Sequence, residues 1–116
     1  MHQSNILTRG AEAEQLALDF LIGKGLKLVK QNFYSRFGEI DLIMYDNETL
    51  VFVEVKARQK SIADGIESIT YAKQRKLVKA ANYYLVKLGR DVACRFDAVI
   101  IDGENNFEWL TNIIVL

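Results

Sequence analysis

Two kinds of periodicity alternate along the chain and mark seven elements. From about Thr8 to Gly23, apolar side chains fall at Ala13, Leu16, Ala17, Phe20 and Leu21. That is helical spacing, and Gly23 and Gly25 stop it. Leu26 to Tyr34 alternates loosely and reads as a strand; Phe37 to Tyr45 is a clearer one. Asp46-Asn47-Glu48 is a turn signal, and Leu50 to Val55 is a strongly apolar strand. Ala57 to Asp64 reads as a loop. A second helix runs from Thr70, its N-cap, to Leu88, with Gly89 as its stop. Its buried stripe is Leu77, Ala80, Ala81, Tyr84, Leu85 and Leu88. Val92 to Ile101 and Phe107 to Val115 are two further strands, joined by a turn through Asp102-Gly103-Glu104 to Asn106.

The predicted order is α-β-β-β-α-β-β. Short connections let the first three strands pair antiparallel, and the long second helix is of crossover length for a parallel pair. The expected fold is α/β, a mixed central sheet flanked by helices. With 116 residues, no repeat and no linker, residues 1–116 are expected to form one domain. There is no proline, so Gly, Asn and Asp must make the turns.

Composition narrows the function classes. The chain is 50% hydrophobic and 26% charged, as globular proteins are and disordered ones are not. No apolar run approaches the ~20 residues of a membrane helix. Met1-His2-Gln3-Ser4-Asn5 lacks the order of a secretory signal, so a cytoplasmic location is expected. One cysteine, Cys94, excludes an internal disulfide and a Cys-rich zinc site, and reads as a small core residue. The one histidine, His2, falls in the N-terminal tail, which disfavours a Ser-His-Asp triad, and one is too few for a multi-histidine metal site.

The net charge of zero hides an uneven distribution. Residues 1–55 hold 5 basic and 8 acidic side chains, residues 56–95 hold 10 and 3, and residues 96–116 hold 0 and 4. A basic middle allows either a positive patch or an ordinary solvated helix face.

Several polar residues fall where the pattern calls for apolar ones. Strict alternation puts Glu39, Asp41 and Ile43 on one face of the second strand, and Phe52, Glu54 and Lys56 on one face of the third. A two-residue turn at Asn47-Glu48 sets opposed residues to sum to 95, so Asp41 faces Glu54 and Glu39 faces Lys56. Two carboxylates opposed in a sheet repel, unless they share a proton or hold a cation. On a helical wheel Glu14 falls inside the apolar arc of the first helix, where an unpaired carboxylate is costly. Lys73 and Gln74 fall inside the arc of the second helix. Arg75, Lys76, Lys79 and Lys87, with Tyr83 among them, form a basic face away from it. One reading is a pair of ion pairs, Glu39 with Lys56 and Glu14 with Lys73. The other is that four acids and two lysines converge on one sheet face as a site.

Asp41, Glu54 and Lys56 suit phosphodiester hydrolysis. Carboxylate oxygens are the hard ligands that Mg²⁺ or Mn²⁺ takes, with the Val55 carbonyl and Glu14 completing a shell around Asp41 and Glu54. Lys56 is placed to orient water or to stabilise charge on a phosphate.

The segments Gly38-Glu39-Ile40-Asp41-Leu42-Ile43 and Val51-Phe52-Val53-Glu54-Val55-Lys56-Ala57-Arg58 resemble the signature of the YraN-like family of bacterial proteins. Ala13-Glu14-Gln15-Leu16-Ala17, Asn32, Lys73-Gln74 with Lys76-Leu77, Ala80-Ala81, Tyr84-Leu85, and Arg95-Phe96-Asp97 agree, so the resemblance spans about residues 9–101. Two positions depart from the pattern: Ile40 stands where the superfamily has proline, and Ala13 where the family has glycine. The resemblance implies a restriction-endonuclease-like core of the PD-(D/E)XK nuclease superfamily, near the Holliday junction resolvases. It further implies that Asp41, Glu54 and Lys56 are catalytic, with Glu14 as an accessory acid; Glu39, on the strand face of Asp41, is expected in support.

Three functions follow as alternatives. One is a metal-dependent nuclease on DNA, branched or damaged, whose backbone is held by Arg58, Lys60, Lys73, Gln74, Arg75, Lys76, Lys79 and Lys87. Another is an inactive nucleic-acid-binding module of the same fold. The third is a structural or partner-binding domain whose acids are merely paired. Tyr84 and Trp109 read as packing, and the acidic, apolar last strand is an edge open to a homodimer.

Overall fold

The computed structural model describes residues 5–114. Its elements are α1 (Asn5–Gly23), β1 (Lys27–Ser35), β2 (Gly38–Asp46), β3 (Thr49–Gln59), α2 (Ile62–Glu67), α3 (Tyr71–Leu88), β4 (Cys94–Asp102) and β5 (Phe107–Leu110). The strands form one sheet in the order β1-β2-β3-β4-β5. All neighbours are antiparallel except β3 and β4, which the α2–α3 crossover makes parallel. This is the mixed α/β architecture that the periodicity predicts. Among the described residues, no helix is long and apolar enough to cross a membrane.

Strand alternation divides the core in two. Leu42, Met44, Val51, Val53, Val99 and Ile101 bury one sheet face under Ala17, Leu18 and Leu21 of α1. Ile43, Leu50, Phe52 and Phe96 bury the other under Leu77, Ala80 and Ala81 of α3. The Thr70 hydroxyl caps α3 by accepting from the Lys73 N–H at 3.2 Å, and Gly89, at φ 75°, ends it.

The stretch 57–64 departs from the expected loop. β3 continues to Gln59, and α2 begins at Ile62 under a Ser61 cap that accepts from the Asp64 N–H at 3.1 Å. Six residues are too few to show a helical stripe, so the capping serine was the legible sign. Gly65 lets α2 lie flat on the sheet, because a Cβ there would collide with the Ile100 side chain. β5 is also shorter than expected, ending at Leu110.

At the hairpin end of the sheet, one buried carboxylate ties four segments together. Asp97 accepts from Arg95 Nε at 3.0 Å, Trp109 Nε1 at 3.0 Å and the Asn112 N–H at 2.9 Å. Arg95 Nη2 reaches on to Asp46 Oδ2 at 3.0 Å. Trp109 is therefore half core and half hydrogen-bond donor, as a buried indole usually is. Removing the carboxylate strands the guanidinium and the indole N–H. Asp97→Ala should cost about 3–5 kcal/mol in urea unfolding, with Glu108→Ala on the exposed face of β5 near zero.

Candidate active site at a fork in the sheet

The site exists because β2 and β3 part company. Their ladder runs from Asp46↔Thr49 to Leu42↔Val53, in the register that the Asn47-Glu48 turn predicts. Asp41 and Glu54 would be the next pair. Instead the Asp41 carboxylate, through Oδ2, accepts the Val55 N–H at 2.8 Å and replaces a backbone acceptor. On the far side of β2, Asn32 of β1 takes φ 53° between the pairs Gln31↔Leu42 and Phe33↔Ile40. Asn is among the side chains that tolerate this left-handed conformation best.

Alternation accordingly breaks at Asp41. Ile40 packs in the α3 layer and Leu42 in the α1 layer, although they are two residues apart. The expectation that Glu39, Asp41 and Ile43 share a face assumed an unbroken pleat, and the kink overturns it. Nor do the polar residues converge on one face. They meet at the fork, which α1 reaches from one side of the sheet and α3 from the other.

Glu54 is almost fully buried, at 4% exposure. Lys73 of α3 pairs with its Oε2 at 3.0 Å, and Lys56 lies 3.6 Å from the same oxygen. Both lysines therefore serve Glu54, and the two ion pairs expected from the pattern do not form: among the described residues, Glu14 does not pair with Lys73, nor Glu39 with Lys56. Burial pulls the Lys73 ammonium down, but its hydrogen bond and attraction to Glu54, with the charge of Asp41 adding, raise it overall.

Among the described residues, the other acids of the site pair with no such cation. Glu14, Glu39 and Asp41 each offer an oxygen within 4.8 Å of the others. Burial raises Glu14 above its usual range; Asn32 opposes this by hydrogen bonding, while Glu39 and Glu54 add repulsion. Burial also raises Asp41, to about 7, helped by the charge of Glu54 and opposed by the Val55 N–H. Gly38, Glu39, Asp41, Glu54, Lys73, Lys76 and Leu77 line the cleft, which holds about 220 Å³.

The donor set fits a hard divalent cation. All its atoms are carboxylate oxygens, and oxygens bound about 2.1 Å from one Mg²⁺ lie about 3–4 Å apart, a short contraction from the spacing here. The N–H and C=O of one strand residue point to the same side, so the Val55 carbonyl also faces the fork.

The other predicted residues scatter. Arg58 and Lys60 are exposed beyond a bulge at the end of β3, where Arg58 takes φ 60°. Arg58 lines a separate hollow with Glu12, Ala13 and Asp102. Gln74 donates to the Ile69 carbonyl at 3.2 Å and belongs to the α3 entry turn rather than the cleft. Arg75 lies over Tyr71, Lys87 over Tyr83, and Lys79 is exposed. Lys76 is not confined to the outer basic face; its stem backs onto Gly38, and it lines the acid cleft.

The raised carboxyls set a direction for stability. A folded-state carboxyl above its unfolded value of 3.8 binds its proton more tightly in the folded protein. The contribution of Asp41 to stability is then full below about pH 4 and falls as pH rises toward 7. In EDTA the melting temperature should fall across that window. Asp41→Asn, which keeps an acceptor for Val55, should flatten the fall and melt several degrees above the parent at pH 8, with little difference at pH 4.

The model of the "Uncharacterised protein family UPF0102" matches residues 13–101, which include every residue of the cleft. A UPF0102 protein of Nitrosospira multiformis is 50% identical over 107 residues, 90% of each chain. One of Nitrosomonas eutropha is 47% identical over 110 residues, covering 94% of this chain and 95% of its own. One of Legionella pneumophila is 46% identical over 108 residues, covering 90% and 92%. The chain belongs to the UPF0102 family, the YraN-like family whose signature its strands carry.

Proposed function

We propose that the protein is a divalent-metal-dependent nuclease that hydrolyses phosphodiester bonds of DNA. The observation that carries this reading is the cluster of Glu14, Glu39 and Asp41 beside the buried Glu54 with its two lysines. Three carboxylates drawn from two elements repel one another, and a divalent cation turns that repulsion into binding energy. The element order and the Asp41, Glu54, Lys56 pattern at a strand fork support a restriction-endonuclease-like assignment.

Glu14, Glu39 and Asp41 would hold Mg²⁺ or Mn²⁺, with the Val55 carbonyl at hand. The cation supplies Lewis-acid polarisation of a phosphate oxygen and a bound water of lowered pKa. Lys73 is the nearer partner of Glu54, which leaves donors of the Lys56 ammonium for a non-bridging phosphate oxygen. In the net reaction, water adds to phosphorus, the ester P–O bond breaks, and the departing oxygen takes a proton. Lys76, Lys79, Lys87 and Arg75 on α3, with Arg58 and Lys60 past β3, are the cations available for backbone phosphates.

One observation favours an inactive binding module instead. The 3.0 Å Lys73–Glu54 pair occupies the carboxylate that the motif assigns to the metal. The two readings separate on labelled single-stranded, duplex, flap and four-way-junction DNA, with RNA as a further arm, in Mg²⁺ or Mn²⁺. The nuclease should cleave at least one form, stop in EDTA, and lose at least about 100-fold in rate as Lys56→Ala and Glu54→Gln. Mn²⁺ should also raise the melting temperature at pH 8 for the parent protein but not for Asp41→Asn. Cleavage that survives in EDTA or in both variants overturns the assignment, and salt-sensitive binding without turnover moves it to the module.

A further inference from the structure

Beside the cleft, two aromatic rings lie among the α3 cations. The β1–β2 turn is locked by the Ser35 hydroxyl, which accepts from the Phe37 N–H at 3.1 Å and donates to the Gly38 carbonyl at 2.9 Å. The turn presses Phe37 against Tyr83 of α3, edge to face, with centroids 6.1 Å apart. A cation flanks each ring: Arg36 lies 4.9 Å from Phe37, and Lys87 lies 5.1 Å from Tyr83. Tyr83 is 36% exposed.

The row begins at the acid cleft. Gly38 and Glu39, next after Phe37, line the cleft, as does Lys76. Lys76, Lys79, Tyr83 and Lys87 recur on one side of α3 over about 16 Å. α3 carries Lys73, Arg75, Lys76, Lys79 and Lys87 and no Asp or Glu. Among the described residues, Arg36, Lys76, Lys79 and Lys87 make no ion pair, and all four are exposed.

We propose that this row, Arg36–Phe37–Tyr83–Lys87, is a stacking platform for an unpaired nucleic-acid strand that leads into the cleft. The inference rests on the nuclease reading only for the direction of the strand. Rings interleaved with unpaired cations match a ligand that alternates flat bases with phosphates, which is how single strands are held without sequence readout. A double helix keeps its bases stacked and offers the rings nothing. In the free protein Arg36 and Lys87 cover the ring faces. An exposed cation–π contact is weaker than base–aromatic stacking, so an arriving base displaces each cation toward its neighbouring phosphate.

The test measures binding in EDTA, where no metal-dependent cleavage occurs, using 20-residue single-stranded DNA and RNA carrying 2-aminopurine, and the matching DNA duplex. Phe37→Leu and Tyr83→Leu keep apolar bulk, and their folding is checked by melting. The single strands should bind more tightly than the duplex and quench the 2-aminopurine. The double variant should lose roughly tenfold or more for single strands, lose the quench, and leave duplex binding within twofold. Arg36→Ala with Lys87→Ala should weaken both forms and flatten the salt dependence. Equal losses for both forms, an unchanged quench, or no single-strand binding by the parent overturns the platform. A protein that stacks the strand but never cleaves fails the hydrolysis reading alone. One that cleaves without regard to the two rings fails this inference alone.

Discussion

The hydrogen bond from the Val55 N–H to the Asp41 carboxylate decides the shape of the molecule around its cleft. A backbone N–H inside a sheet must find an acceptor, and leaving one buried and unpaired costs about 1–3 kcal/mol. When a side chain supplies that acceptor, the neighbouring strand is free to leave. β2 does leave, Ile40 crosses to the α3 layer, and a gap opens between two strands that are closely paired a few residues earlier. Only through that gap can Glu14 of α1 and Lys73 of α3 approach the same carboxylates from opposite sides of the sheet.

The buried Asp97 and the half-buried Asp41 are two aspartates in opposite circumstances. Asp97 is closed off by donors from Arg95, Trp109 and Asn112, which leave no lone pair wanting a partner. Asp41 receives one N–H and otherwise faces Glu14, Glu39 and Glu54. The first arrangement is complete and holds the hairpin end of the sheet rigid. The second is unbalanced, and imbalance of this kind is where a protein keeps binding energy for something it has yet to meet.

Much of this was legible in the sequence. The Asn47-Glu48 turn gave the β2–β3 register, because turn length and alternation leave one consistent pairing. That register put Asp41 against Glu54 and revealed the conflict. How the chain resolves the conflict was not legible. Periodicity assumes an unbroken pleat, and the kink at Asp41 with its counterpart at Asn32 breaks it. Pairing by wheel angle failed for a related reason: it sent Lys73 to Glu14, whereas the fork brings Glu54 closer. An ideal wheel also placed Lys76 wholly on the outer face, blind to the β1–β2 turn that packs against its stem. α2 escaped because one and a half turns hold too few positions for a period to appear.

A zero net charge conceals an acid cleft and a basic helix that lie against each other. The acids alone would repel a polyanion, and the Debye length in physiological salt, about 8 Å, is too short for distant cations to compensate. The helix alone would hold a nucleic acid but give it no reason to enter the cleft. On the proposed reading, a divalent ion among Glu14, Glu39 and Asp41 would remove that repulsion where a strand would pass. On the proposed reading, ion and polyanion therefore strengthen each other's binding, and linkage makes the effect reciprocal. Lys73 stands between the two regions, on the basic helix yet spent on Glu54. It keeps the deepest carboxylate from adding to the repulsion, and on the proposed reading the three outer ones would take the metal.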